Sequence, residues 1–117
     1  MIMTCNSVEL NRIISEHQIV IVDFSATWCG PCEKQHEILK NLASKHPDIM
    51  IVKIDIDSNR DFSNAMKIEA IPTLMFYLNG VQCTFKNGRR KYERIVGLTS
   101  LERLEEHLEH VERMLNH

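Results

Sequence analysis

The sequence predicts an α/β fold in which a central mixed sheet of four or five strands is flanked by helices on both faces, within a single domain over residues 1–117. Two apolar, β-branched runs at 18–25 and 49–57 are typical of strands that are covered on both sides. A charged, helix-forming segment at 33–46 lies between them, which makes a βαβ unit with parallel strands and a right-handed crossover. Two Asn-Gly pairs in the second half favour hairpins, and therefore antiparallel strands there.

The first half of the chain begins and ends with predicted helices. Residues 6–17 form the first, because Asn6 and Glu9 can make a capping pair and an apolar face follows at helical spacing. The helix inside the βαβ unit has its own apolar face and ends at Pro47. A short helix is predicted near 59–67.

The second half is predicted to complete the sheet and to close with a helix. A third strand at 70–80 is followed by 89–97, the final strand of a hairpin. Thr99 and Glu102 fit a capping box at the start of the closing helix. Its apolar residues keep a helical spacing: Leu101, Leu104, Leu108, Val111 and Leu115.

The composition is that of an ordinary soluble protein, with 44% hydrophobic and 26% charged residues. Its formal charge of −2, from 14 basic and 16 acidic residues, gives no reason to expect nucleic acid or a membrane as a partner. No apolar stretch approaches the roughly 20 residues of a membrane span, and the N-terminus does not resemble a secretory signal. We therefore expect a cytoplasmic protein in a reducing compartment, where structural disulfides are rare.

The stretch VDFSATWCGPCEKQ places Cys29 and Cys32 two residues apart, as a structural disulfide, half of a zinc site or a redox pair. Structural zinc needs four ligands, but Cys5 and Cys83 are isolated and His36 is explained more simply as a surface residue. A disulfide that closes so small a loop would stabilise the fold little. The pair lies where a strand meets a helix, whose first N–H groups and dipole favour the Cys29 thiolate. We therefore favour redox chemistry without a metal.

The combination of Trp28-Cys29-Gly30-Pro31-Cys32 with a later Ile-Pro-Thr at 71–73 resembles the thioredoxin family, closest to its eukaryotic cytosolic forms, over nearly the whole chain. The resemblance implies a protein-disulfide reductase that maintains redox homeostasis, in which Cys29 attacks a client disulfide and Cys32 resolves the mixed disulfide. It implies electrons from NADPH through a thioredoxin reductase, disulfide-containing client proteins, no bound cofactor and a monomer. Pro31 favours a reductant, since oxidising isomerases of the family usually carry histidine there.

The resemblance also assigns two charged residues to the chemistry. Asp23, six residues before the first cysteine, corresponds to the general base or acid that serves Cys32. Lys53, on the neighbouring strand, corresponds to the lysine that pairs with this aspartate. Burial of an unpaired carboxyl group would raise its pKa. The alternatives are a strand-end aspartate that reaches solvent and an ordinary strand-edge lysine.

Four further residues are implied to shape the client-binding surface. Pro72 would form a cis peptide bond facing the cysteines, and the backbone of Ile71 would pair with an extended client segment. Trp28 would shield the thiols and contact substrate, and Gly97 would keep the groove open. The alternatives are a trans strand-start proline, a core tryptophan and a turn glycine.

The sequence departs from the family pattern in three places. Glu37 replaces a proline that usually kinks the helix, so we expect a straighter helix, and Glu33 replaces a lysine that commonly follows the second cysteine. A longer connection, VQCTFKNGRRKYER, contains Cys83 and the basic residues 89–91, and is predicted to be a solvated hairpin or a partner-docking site. Cys83 and Cys5 are predicted to be bystanders.

Two other functions stay open at this point. The chain could be a binding module or dedicated partner subunit whose thiols are secondary, for which the long hairpin would be suited. A glutaredoxin-like use of glutathione is the weaker rival, since its usual motif has tyrosine near the cysteine pair.

Overall fold

The computed structural model describes residues 1–116, and its secondary structure alternates strands and helices in the first half of the chain. The helices are α1 (Ser7–Glu16), α2 (Gly30–Lys45), α3 (Arg60–Ala65) and α4 (Leu101–Leu115). The strands are β1 (Ile2–Thr4), β2 (Ile19–Ser25), β3 (Met50–Asp55), β4 (Thr73–Leu78), β5 (Val81–Gln82), β6 (Phe85–Asn87), β7 (Arg90–Tyr92) and β8 (Ile95–Val96).

The main sheet is mixed, with the order β1-β3-β2-β4, and the short strands β5 and β8 pair with opposite ends of β4 along its outer edge. Strands β1, β3 and β2 are parallel, and β4 runs antiparallel to β2. Every residue of β2 is buried, as expected for the centre of a sheet that is covered on both faces. The predicted mixed sheet is confirmed, although two short strands occupy its fifth position.

Helices cover both faces of this sheet, as predicted. On one face α2 and α4 enclose a core that includes Leu39, Leu42 and Leu108. On the other, α1 packs Ile13 and Ile14 against β2 and β3, and α3 closes the same side. The sheet is therefore the middle layer of three, and the βαβ unit fixes where β2 ends and α2 begins.

The predicted capping pair of α1 is confirmed. Asn6 Oδ1 accepts a hydrogen bond from the Glu9 N–H at 2.9 Å, and Glu9 Oε1 accepts one from the Asn6 N–H at 3.1 Å. The capping box predicted for α4 is wrong by one residue. Ser100 is the N-cap and its Oγ accepts from the Arg103 N–H at 3.2 Å, whereas the Thr99 hydroxyl donates to the Gly97 carbonyl.

Two strand predictions also need correction. Strand β1 was not expected, because three residues are too few to show a pattern; its register beside β3 is what orders it. Residues 89–97 do not form one final strand. They divide into β7, which pairs with β6 in a separate two-stranded sheet, and β8, which pairs with β4.

The hairpin formed by β6 and β7 is anchored to α4 by aromatic packing. Phe85 is buried against Phe76, and its ring centroid lies 4.6 Å from that of His107. Tyr92 reaches the same histidine with its hydroxyl. The predicted solvated hairpin thus has one buried side, while its tip, including Arg89, Arg90 and Lys91, is exposed. Among the described helices none is both long and apolar enough to cross a bilayer.

Candidate active site

The two cysteines lie at the N-terminus of α2 and are joined by a disulfide, with their Cα atoms 5.2 Å apart. Cys29 is the N-cap residue, and its Sγ accepts a hydrogen bond from the Cys32 N–H at 3.2 Å. Gly30 begins the helix and Pro31 lies in its first turn, where a missing N–H removes no helical hydrogen bond. The backbone therefore offers a donor, and the helix dipole, to a negative charge on Cys29.

Both sulfur-bearing residues are largely buried, so access to the pair is restricted. Cys29 is 6% exposed and Cys32 only 1%. They form a small apolar cluster with Ala26, packed against Ile56 and Ile71. Cys29 is the more exposed of the two cysteines, which suits it to attack a client disulfide and suits the more deeply buried Cys32 to resolve the mixed disulfide.

The loop before β4 faces the cysteine pair. The Ile71–Pro72 peptide bond is cis, as the resemblance implied. The Ile71 carbonyl oxygen lies 4.0 Å from Cys29 Sγ, and the Pro72 carbonyl accepts from the Gly97 N–H at 2.8 Å. Pairing of the Ile71 backbone with a client stays a prediction.

Gly97 has a positive φ of +88°, and a Cβ added there would meet no heavy atom within 4 Å. The backbone conformation alone favours glycine, so the turn interpretation accounts for this residue. The open space beside it is also what a binding groove would need. We call the area formed by Trp28, Cys29, Ile71, Pro72 and Gly97 the Cys29 surface.

Trp28 is not a core residue, because 68% of it is exposed. Its indole Nε1 donates a hydrogen bond to Asp57 Oδ2 at 2.7 Å, which fixes the ring beside the cysteine pair. Asp57 was not predicted as part of the site. Its place just after β3, at the same sheet edge as the end of β2, is the signal that could have identified it.

Asp23 lies in the middle layer, on the strand that leads to the cysteines. It is 1% exposed, and neither carboxyl oxygen has a hydrogen-bond partner among the described residues. Burial raises the pKa of Asp23 to about 7, and the positive charge of Lys53 opposes this rise. The alternative of a solvent-reaching carboxylate is therefore excluded.

Lys53 sits directly across the β2–β3 ladder from Asp23. The two side chains form no ion pair within 4.0 Å in the part of the chain that the structure describes. The pairing implied by the resemblance is thus one of neighbouring charges without contact. An acidic group whose pKa is about 7 can give and accept a proton at neutral pH.

One buried polar side chain near the site was not predicted. Gln35 on α2 is fully buried, and its side-chain amide donates to the Thr99 carbonyl at 3.1 Å and accepts from the Thr99 N–H at 2.8 Å. This two-point contact ties the cysteine helix to the segment between Gly97 and α4. In sequence Gln35 looks like one more polar residue of a charged helix, so no pattern reveals it.

The remaining candidates are not part of the cluster that encloses the thiol pair. Cys5 and Cys83 are buried free cysteines, and burial raises the pKa of both thiols. Burial, reinforced by Lys53 and Lys40, lowers the pKa of His36. Within residues 1–116, no three side chains of the metal-ligating types lie together. Glu33 and Glu37 lie on exposed turns of α2, which runs uninterrupted past both positions.

Comparisons with known proteins agree with the sequence resemblance. The sequence profile of the thioredoxin family matches residues 1–101. A thioredoxin H-type from Picea mariana is 37% identical over 84 residues, which cover 68% of this chain and 67% of that protein.

Solved structures give the same result for the fold. A thioredoxin variant from Halobacterium salinarum superposes with a TM-score of 0.79 at 29% identity, covering 94% of this chain and 89% of the other. A chloroplastic thioredoxin z superposes with a TM-score of 0.80 at 28% identity, covering 96% and 95% of the two chains. Because these matches cover 94% and 96% of this chain, they extend beyond the residues of the profile match.

Proposed function

This chain belongs to the thioredoxin family and acts as a protein-disulfide reductase, and we propose that it does so in the cytoplasm, as a monomer recharged by NADPH through a thioredoxin reductase. The observation that carries the proposal is the Cys29–Cys32 pair at the N-terminus of α2, with Cys29 beside the exposed edge of the Ile71 loop. Two thiols hold both electrons, so the proposal assigns the chain no bound cofactor.

The first step uses Cys29. Its thiolate attacks one sulfur of the client disulfide, a mixed disulfide forms, and the other client sulfur leaves as a thiolate that takes up a proton. The N–H of Cys32 and the dipole of α2 stabilise the attacking thiolate. In this proposal the client segment lies on the Cys29 surface, with its backbone along Ile71 and its side chains against Trp28.

The second step uses Cys32 and Asp23. Cys32 gives its proton to the Asp23 carboxylate and attacks Cys29 Sγ, which breaks the mixed disulfide and releases the second client sulfur as a thiolate that is then protonated. The client has gained two electrons and two protons, and the chain ends with the Cys29–Cys32 disulfide that the structure contains. Support for the role of Asp23 is its pKa near 7, which lets both protonation states exist at neutral pH.

The reductase would then run the same exchange in reverse on this disulfide. Gly-Pro between the cysteines supports the reducing direction, because the family's oxidising isomerases usually differ at the position of Pro31. Maintenance of redox homeostasis follows in this proposal from reduction of many clients, with electrons that originate in NADPH.

Turnover of insulin disulfides tests the proposal. Purified protein, NADPH and a thioredoxin reductase should reduce insulin continuously, measured as NADPH oxidation, and Cys29→Ser should abolish turnover. Cys5→Ala, which removes a thiol that belongs to a different core cluster from the pair, is the matched control and should keep the native rate. If dithiothreitol reduces the Cys29–Cys32 pair but the reductase supports no turnover, recharging by NADPH is wrong and the chain is a binding module or serves a dedicated reductase.

A further inference from the structure

The hairpin segment 84–94 concentrates positive charge in a chain that is acidic overall. It contains five basic residues and one acidic residue, a net charge of +4, whereas the whole chain carries −2. The basic residues are Lys86, Arg89, Arg90, Lys91 and Arg94. A local excess of this size creates a positive potential that the formal net charge conceals.

Part of this charge lines a cleft between the hairpin and the start of α4. The cleft has a volume of about 450 Å³, and its walls include Arg90, Arg94 and Arg103 but no aspartate or glutamate. Arginine is the side chain best suited to bind carboxylates, because its planar guanidinium can donate two parallel hydrogen bonds. The lining therefore fits an anionic group of carboxylate type.

The three guanidinium groups are not neutralised from within the protein. Across residues 1–116, Arg90 and Arg103 make no ion pair and no side-chain hydrogen bond. Arg94 donates only to the backbone carbonyls of Met66 and Lys67, which have no full charge to offset it. The cleft thus presents three positive charges without an internal counterion.

The cleft is continuous with the Cys29 surface. Val96 and Leu98 line it and are 60% and 49% exposed. Gly97, between them, bonds to Pro72, the neighbour of the residue whose carbonyl lies 4.0 Å from Cys29 Sγ. A peptide that extends along the Ile71 backbone would pass over these two aliphatic side chains and reach the arginines.

We propose that this cleft binds acidic side chains of client proteins close to the disulfide under attack, so that the chain preferentially reduces disulfides with acidic flanking residues. The inference rests on the proposed reductase function and specifies its client class. Continuity with the Cys29 surface favours a protein segment over nucleic acid as the occupant. The tyrosine of the cleft, Tyr92, already uses its hydroxyl on His107, so the arginines supply the polar recognition.

Two synthetic peptides with the same disulfide test the preference. One carries aspartate and glutamate beside its cysteines, and the other carries asparagine and glutamine. We expect the pre-reduced native protein to react with the acidic peptide about fivefold faster at low ionic strength, because complementary charge raises association rates. The ratio should approach one in high salt, where the Debye length falls to about 3 Å at 1 M.

Matched variants assign the effect to the cleft. The double variant Arg90→Gln, Arg103→Gln should lower the acidic-to-neutral rate ratio to below about two, by loss of the local field. Arg12→Gln, Lys40→Gln removes the same net charge from exposed ion pairs on α1 and α2 and should keep the native ratio. Arg94 is left unchanged because its hydrogen bonds connect the hairpin side to α3.

The outcomes separate this inference from the function on which it rests. Reduction of both peptides at equal rates overturns the client preference and leaves the reductase intact. An equal loss in the Arg12, Lys40 control would assign the effect to net charge and also overturn the inference. Reduction of neither peptide, while dithiothreitol reduces the protein, would contradict the proposed function itself. Binding of a single-stranded oligonucleotide by the native chain but not the cleft variant, with a peptide ratio near one, would assign the cleft to nucleic acid.

Discussion

Asp23 is a buried acidic residue whose negative charge opposes folding. The fold buries this carboxyl group without a hydrogen-bond partner among the described residues. The positive charge of Lys53, across the ladder, compensates only part of the burial. An ionised group in this position destabilises the folded state, so packing gives no reason for a carboxyl group here, which is consistent with the proton-transfer role proposed for it.

Asp23→Asn should stabilise the protein in a pH-dependent way. The pKa of Asp23 is about 7 when folded and 3.8 as its ordinary value, so the folded state holds its proton more strongly and stability is lost as pH rises from about 4 to 7. The shift corresponds to at most about 4 kcal/mol. Urea unfolding of the oxidised variant at pH 8 should therefore show a gain of about 2–4 kcal/mol, with little gain at pH 4.

A control at an exposed carboxyl group isolates the effect of burial. Asp48→Asn removes the same charge from an exposed position after α2 and should change the free energy of unfolding by less than about 0.5 kcal/mol at either pH. Equal stabilisation by Asp23→Asn at pH 4 and pH 8 would show that Asp23 has an ordinary pKa in the folded protein, which would remove the basis for its assigned role.

A histidine with a fixed tautomer joins the β6–β7 hairpin to α4. His107 Nδ1 lies 2.7 Å from the Arg103 carbonyl, to which it must donate, so Nε2 accepts from the Tyr92 hydroxyl at 2.8 Å. The imidazole ring also packs against Phe76 and Phe85. Neutral His107 satisfies both contacts, whereas a protonated ring would require the Tyr92 hydroxyl to turn its O–H away and accept from Nε2 instead.

Acidification should therefore weaken this junction. Burial lowers the pKa of His107 below 6.5, against smaller opposing contributions from the Arg103 carbonyl and Glu106. Below pH 6.5 this histidine gains a proton more readily in the unfolded chain than in the folded one, so the free energy of unfolding decreases as the pH is lowered. Relative to His107→Gln, the native protein should lose unfolding free energy between pH 6.5 and 5.5, by at most about 1 kcal/mol.

The quantity to measure is the difference in unfolding free energy between the native protein and His107→Gln. Asp23 contributes a pH dependence of the opposite sign in the same range to both proteins, and the difference removes it. His46→Gln, at the C-cap of α2, is the control for removal of one histidine from the chain. A constant difference between the native protein and His107→Gln from pH 7.5 to 5.5 would contradict neutral burial of His107.

Sequence patterns identified the long elements but not the short ones. Strands β2 and β3 were predictable because runs of six or seven residues that are mostly apolar are informative by themselves. Strands of two or three residues, such as β5 and β8, exist because β4 supplies hydrogen-bonding partners at its edge. The β6–β7 hairpin separates β5 from β8 because Phe85 packs on α4. Local sequence patterns do not reveal this long-range contact.

The N-cap of α4 also depends on a contact between residues that are distant in sequence. Thr99 and Ser100 are both competent N-caps by chemistry. Gln35, 64 residues away, occupies the backbone N–H and carbonyl of Thr99 and leaves Ser100 to cap the helix. The thiol pair was predictable because its chemistry depends on two cysteines that are close in sequence, whereas the contacts of Asp57 with Trp28 and of Gln35 with Thr99 form only through the fold.

The four cysteines lie in three different regions of the molecule. Cys29 and Cys32 lie at one end of the sheet, Cys5 follows the edge strand β1, and Cys83 follows β5 at the opposite edge. Cys5 and Cys83 are 5% and 4% exposed. Cys83 belongs to the main core cluster, and burial raises its pKa to about 11. The two bystander thiols are therefore protected by both access and ionisation, and each reports on opening of its own region.

Pulsed alkylation of the reduced protein at pH 7.5 should separate these regions in time. Cys29 should react first, since the N-terminus of α2 favours its thiolate. Cys5 should follow, because β1 has only three residues at the edge of the sheet and opens locally. Cys83 should react last, at the rate of global unfolding measured by circular dichroism, and all four should react at once in guanidinium chloride.

If Cys83 reacted before Cys5, or far faster than the protein unfolds, the hairpin would detach from α4 as a separate unit. The charged cleft between them would then be transient, and its use for client recognition would require the hairpin to close on the bound segment.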